Sequence, residues 1–156
     1  MIHKTGQYHL SAGMVTRTFL LYLPVLSTII LGLFLQDEVY AMENIRELEW
    51  QNRIILVRSD ASAEDYAALL THADNEIRDR HIYWFVFSGD QVTSNYPGHL
   101  SQNFIEETKK YFRDDSNHVL LIGKDGGIKD RSSRMDLRKL FALIDTMPMR
   151  QAEMGD

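Results

Sequence analysis

Three short apolar runs constrain the fold more than any other feature of the sequence: Ile54-Ile55-Leu56-Val57, Ile82-Tyr83-Trp84-Phe85-Val86-Phe87 and Val119-Leu120-Leu121-Ile122. Each is too short for a core helix, is rich in β-branched or aromatic residues, and lacks alternation of apolar with polar positions. A strand without alternation is covered on both faces, so these runs belong at the centre of a sheet lying between helices. A helix is expected between the first two, capped by Ser62 with Asp65 at the box position and turning Tyr66, Leu69, Leu70, Ala73 and Ile77 inward. That crossover makes the first two strands parallel and the connection right-handed. A polar loop with Thr93-Ser94-Asn95-Tyr96-Pro97-Gly98 follows. It leads to a helix capped by Ser101 with Phe104, Ile105, Thr108, Tyr111 and Phe112 inside. The third run then turns through Gly123-Lys124-Asp125-Gly126-Gly127 into a partner strand starting at Ile128-Lys129. A last helix, capped by Ser133 with Asp136, carries Leu137, Leu140, Phe141 and Ile144 inward and stops at Pro148.

The resulting order, βαβ–α–ββα, is that of a thioredoxin-like α/β domain: three layers around a mixed sheet. Trp84, in mid-strand, is expected in the core, whereas Trp50 and Tyr96 fall outside regular elements and are expected to be exposed. In a domain of this topology the reactive loop follows the first strand, here Arg58-Ser59-Asp60-Ala61-Ser62. The chain has no cysteine. Disulfides, thiolate metal ligation, thiol redox centres and thiol peroxidase chemistry are therefore excluded, as is a lipid anchor on an N-terminal cysteine.

Upstream of the domain, Phe19 to Leu35 is almost continuously apolar, Arg17 precedes it, and Val39-Tyr40-Ala41 fits a small-x-small processing site. The pattern is that of a secretory signal cleaved after Ala41, with residues 1–41 as extension and signal and residues 42–156 as the domain. The protein is then periplasmic or secreted. The alternative is a membrane anchor formed by residues 19–35, at the lower edge of a spanning length. Met1 to Gly13 is polar and unlike a signal start, whereas Met14-Val15-Thr16-Arg17 offers an ordinary one, so translation from Met14 is the alternative to translation from Met1. The formal net charge of -5 and the scatter of the basic residues argue against a nucleic-acid partner.

Leu121 to Lys129, then Leu140 to Arg150 with Glu153 and Met154, together with the opening Trp50 to Val57, resemble the DUF4174 family of exported bacterial proteins. The resemblance spans roughly Ile45 to Met154. That family is similar to the peroxiredoxin-like domain of sushi-repeat and coiled-coil-containing animal extracellular proteins. The resemblance implies a thioredoxin-like fold and an extracytoplasmic setting, and it implies no established activity, cofactor or catalytic residue.

Open α/β sheets bind ligands at the C-terminal ends of their strands. That rule selects Ser59 and Asp60 after the first strand and Ser88 and Asp90 after the second, with His99 from the following loop, as a candidate ligand site. Two carboxylates and an imidazole could support metal binding or acid–base chemistry. The same residues equally serve as helix caps and solvated strand ends. His72, His81, His99 and His118 show no i,i+4 pair, so no metal motif stands in the sequence. Lys124 and Asp125 are expected to be turn residues, because a phosphate-cradling loop leads into a helix and this one leads into a strand. The functional expectation is a non-catalytic binding or interaction module of the cell envelope or exterior, with an envelope or extracellular protein as partner and no cofactor. The alternative is an enzyme with a non-thiol site at the ends of strands one and two.

Overall fold

The computed structural model describes residues 40–59, 61–112 and 118–155. The apolar run and Arg17 lie outside the described residues, as does Asp60. The strands are β1 (Arg53–Arg58), β2 (Ile82–Ser88), β3 (Gln91–Ser94), β4 (Val119–Ile122) and β5 (Ile128–Ser132). They form one sheet in the order β3-β2-β1-β4-β5. β1 and β2 are parallel, as the crossover requires, and the remaining neighbours are antiparallel.

The three apolar runs are central strands covered on both faces. Ile54, Leu56, Phe85, Phe87, Leu120 and Ile122 pack with Ile45 and Leu48 of a 3-10 turn (Ile45–Leu48) and with Phe104 of a helix at Gln102–Lys109. Ile55, Val57, Trp84, Val86, Val119 and Leu121 face the other way, onto Leu70, Ile77, Leu140 and Ile144. Those four come from helices α1 (Ala63–His72), α2 (Asp74–Asp79) and α4 (Leu137–Asp145), α3 being Gln102–Lys109. The molecule is thus a mixed α/β domain with a five-stranded sheet between two helical layers.

Several local expectations are corrected. The loop after β2 begins with an edge strand, β3, joined through the two-residue turn Gly89-Asp90; Gly89 has φ 56, which an L-residue adopts only with strain. The expected first helix is two, broken at Ala73 (φ -92, ψ 23), and Leu69 is exposed where Leu70 and Ile77 are buried. Ser62 makes no side-chain cap; instead its N–H donates to Ser59 Oγ at 3.1 Å. Asp136, not Ser133, caps α4 by accepting from Lys139 N–H at 3.1 Å, whereas Ser101 caps α3 as expected. Pro148 does not simply end the last helix but opens another, α5 (Pro148–Gly155), because its fixed φ and missing N–H suit a first helical position. Trp84 is core and Trp50 is exposed, but Tyr96 is half-buried, edge-on to Tyr83 at 5.4 Å.

Candidate functional site

The C-terminal ends of β1 and β2 bring Ser59 and Ser88 to one level, since Arg58 pairs with Phe87 and Ser59 N–H donates to Phe87 O at 2.9 Å. Ser59 serves the start of α1 through its Oγ. Asp90 is exposed in the β2–β3 turn and paired with Lys109 Nζ at 2.5 Å; that hydrogen bond and charge hold its carboxyl below the usual range. His99 is not with them. It lies before α3, whereas Lys109 ends α3, so an eight-residue helix, about 12 Å long, stands between His99 and the partner of Asp90. The imidazole and this carboxylate do not form one centre, and among the described residues no group of three or more His, Asp or Glu is placed to hold a metal ion. A cavity of about 360 Å³ does open at this end, lined by Ser62, Glu64, Asp65, Ser88, Gln91 and Thr93. Glu64 and Asp65 occupy the first turn of α1, so the helix dipole there is already complemented by carboxylates and an anionic ligand is disfavoured.

The opposite end of the sheet holds a denser arrangement. The register Arg53↔Ile82 and Ile54↔Ile122 places the starts of β1 and β2 beside the end of β4. Arg53, His81 and Lys124 therefore meet there, and α4 and α5 supply the counter-charges. Arg53, 1% exposed, donates from both terminal nitrogens to Glu153, at 3.0 and 3.3 Å, and from Nη1 to Arg80 O at 2.9 Å. Lys124, 8% exposed, reaches Glu153 Oε1 at 2.7 Å and His81 Nδ1 at 3.0 Å. Nδ1 can accept from the ammonium when the ring carries its proton on Nε2, and the same nitrogen lies 3.8 Å from Glu153 Oε2. Burial would raise the Glu153 carboxyl, but the hydrogen bonds and charges of Arg53 and Lys124 outweigh it and bring the value down to about 2.

A second clamp adjoins the first. Arg150 donates to Asp79 O at 2.7 Å, pairs with the Asp79 carboxylate, and bonds Asp145 at 3.3 Å. Arg80 bonds Asp145 at 2.7 Å and stacks over Phe141. Burial pushes the Asp145 carboxyl up, and Arg80 and Arg150 together bring it below its usual range. Lys124 stands in the turn as expected, and is also a buried member of an ion cluster.

Beside this cluster lies a second cleft of about 360 Å³, between the β4–β5 turn and the α4–α5 junction. Leu143, Met147, Pro148 and Met149 line one part, and Arg53, Lys124, Asp125 and Lys129 another. The turn is built by Gly126 at φ 73 and by Gly127 N–H donating to Asp125 Oδ1 at 3.1 Å. Sequence reasoning did not find this site, although its signals are present. Arg53 abuts an apolar run, Arg150 and Glu153 are one helical turn apart, and Lys124 and Glu153 belong to the two C-terminal motifs. The motifs meet in space through the Lys124–Glu153 pair.

The family described as a domain of unknown function (DUF4174) matches residues 44–153, from the cap of the 3-10 turn to the carboxylate at the centre of the buried cluster. No curated protein and no solved structure matches the chain.

Proposed function

The chain belongs to the DUF4174 family, and on that premise we propose that it is an exported, redox-inert binding module of thioredoxin-like topology, with its ligand site in the cleft between the β4–β5 turn and α5. The thioredoxin-like reading is supported by the strand order β2-β1-β4-β5, the single parallel pair and helices on both faces, with β3 as an added edge. Export is supported by Arg17, the apolar run and Val39-Tyr40-Ala41. The binding role is carried by one observation: the two motifs converge on a part-apolar, part-cationic cleft whose charged wall is fixed by a buried ion cluster. Such a wall is pre-organised, so little ordering opposes a ligand.

The test is native mass spectrometry of the protein recovered from an exported fraction, comparing wild type, Met149→Asp and Ser88→Trp. A ligand or partner kept by Ser88→Trp and lost from Met149→Asp supports the cleft. The reverse pattern moves the function to the strand ends, and wild type with nothing bound counts against a binding role. The second reading, a non-thiol enzyme at the C-terminal ends of β1 and β2, is favoured by the polar cavity containing Ser88, Gln91 and Thr93. Among the described residues, Ser88 is the one member of the sequence-derived set lining that cavity, and no nucleophile there has a matched base.

A further inference from the structure

We propose that the cleft beside α5 takes a carboxylate on an apolar body, the group offered by a medium-chain fatty acid or by the free C-terminus of an apolar peptide. The inference rests on reading that cleft as the ligand site, and it follows from charge, donors and shape. Three cations line the cleft, Arg53, Lys124 and Lys129, against one carboxylate, Asp125. Asp125 is already held by Lys129 Nζ at 2.6 Å and by Gly127 N–H at 3.1 Å; the Lys129 hydrogen bond above all keeps its carboxyl ionised below the usual range. Glu153 answers Arg53 and Lys124 with a single carboxylate and Asp125 answers Lys129, so the wall keeps a small positive excess, and its field favours an anion over a cation.

Donors are free to use that field. An ammonium carries three protons, and Lys124 commits two, to Glu153 and His81. The Nε–H of Arg53 has no hydrogen-bond partner among the described residues but is closed off from solvent, so Arg53 contributes charge to the cleft wall and not a donor. Lys129 sits at the exposed lip, where its pair with Asp125 is readily exchanged. The N-terminus of α5 opens on the cleft at Pro148 and Met149, and no acidic residue occupies its first turn. That contrasts with α1, and it leaves the positive end of the dipole for a ligand.

The rest of the lining sets the body of the ligand. Leu143, Met147 and Met149 offer apolar surface, and methionine adapts to varied shapes. A volume of about 360 Å³ holds one small ligand or one chain end. A phosphate dianion asks for more donors than one ammonium proton and one lip lysine provide, and it leaves the apolar wall uncovered.

The experiment is amide NMR of the full domain titrated with octanoate, octylammonium and octanol, and with an apolar pentapeptide bearing either a free or an amidated C-terminus. Saturable shifts at Gly123 to Lys129 and Thr146 to Arg150 with octanoate, or with the free-ended peptide, and none with octylammonium or the amide, are expected. Whichever of the two anions binds assigns the source. Lys129→Glu should weaken that binding by about tenfold or more, since it replaces a close attractive charge with a repulsive one. Lys109→Glu, at the far end of the sheet, should leave it unchanged. Octanol or octylammonium binding the same residues as tightly overturns the carboxylate and leaves the cleft standing. Shifts centred on Ser88, Gln91 and Thr93 overturn the cleft itself, and the absence of any saturable shift overturns both.

Discussion

Lys124 and Gly126 stand two residues apart in one turn and answer to different physics. Gly126 has φ 73, so the backbone demands glycine; the nearest atom to an added Cβ, Glu49 Oε1 at 2.7 Å, ends a flexible side chain that can move aside. Gly127 has no such demand: its added Cβ would meet the flexible end of Lys129 at 3.3 Å. Gly126→Ala is therefore expected to lower the melting temperature clearly, by about 1–2 kcal/mol of strain, and Gly127→Ala to melt near wild type. Equal melts for the two variants would contradict this. Lys124→Ala leaves Glu153 paired with Arg53 alone, and losing one charged hydrogen-bond partner costs about 1.5–3 kcal/mol. Chemical denaturation of that variant should show the loss, with Asp125→Ala much milder because Asp125 is exposed. The turn itself was legible from its glycines. The burial of Lys124 was not, since it depends on a carboxylate arriving from another helix.

Among the elements, α5 is the one most dependent on charge. Its anchors are buried Arg150 and half-buried Glu153, while Met149 and Met154 are exposed. The Glu153 carboxyl titrates at about 2 in the folded chain and near 4.3 in an unfolded one. The native state binds this proton more weakly, so the pairing stabilises fully above the unfolded value and is lost as pH falls through the folded one. The contribution is on the order of 2 kcal/mol at neutral pH. Urea midpoints measured from pH 6 down to 2 should fall along this limb, more steeply in wild type than in Glu153→Gln, which starts less stable at pH 7. Parallel acid limbs for the two proteins would remove Glu153 from the account. Sequence pattern hid α5 for a plain reason: Pro148 reads as a stop, and a helix docked by charges leaves no apolar stripe to find. It hid β3 similarly, because a polar edge strand with Val92 as its inward residue looks like loop. The central strands and α4 announced themselves through continuous or helically spaced apolar residues.

At the scale of the molecule, the two-sided sheet was readable because burial on both faces removes alternation, whereas the ion cluster joins five separate segments that no local window contains. The absence of cysteine gives a direct expectation: metal-free protein turns over neither disulfides nor hydrogen peroxide above the buffer rate, and measurable turnover would refute it. Export predicts a mature N-terminus at Met42, checked by N-terminal sequencing of the exported protein; recovery of an unprocessed, membrane-held chain would favour the anchor. Met42 is buried and its nitrogen bonds His99 O at 2.8 Å, a bond that a newly freed amine can still donate. The Arg53–Glu153 pair spans a hundred positions of sequence. During synthesis the guanidinium of the first strand emerges long before the carboxylate that neutralises it. Until position 153 leaves the ribosome or a membrane pore, closing that end of the sheet would trap a cation without its counter-ion. Closure of that end of the sheet and docking of the C-terminal helix are thereby coupled through one ion pair.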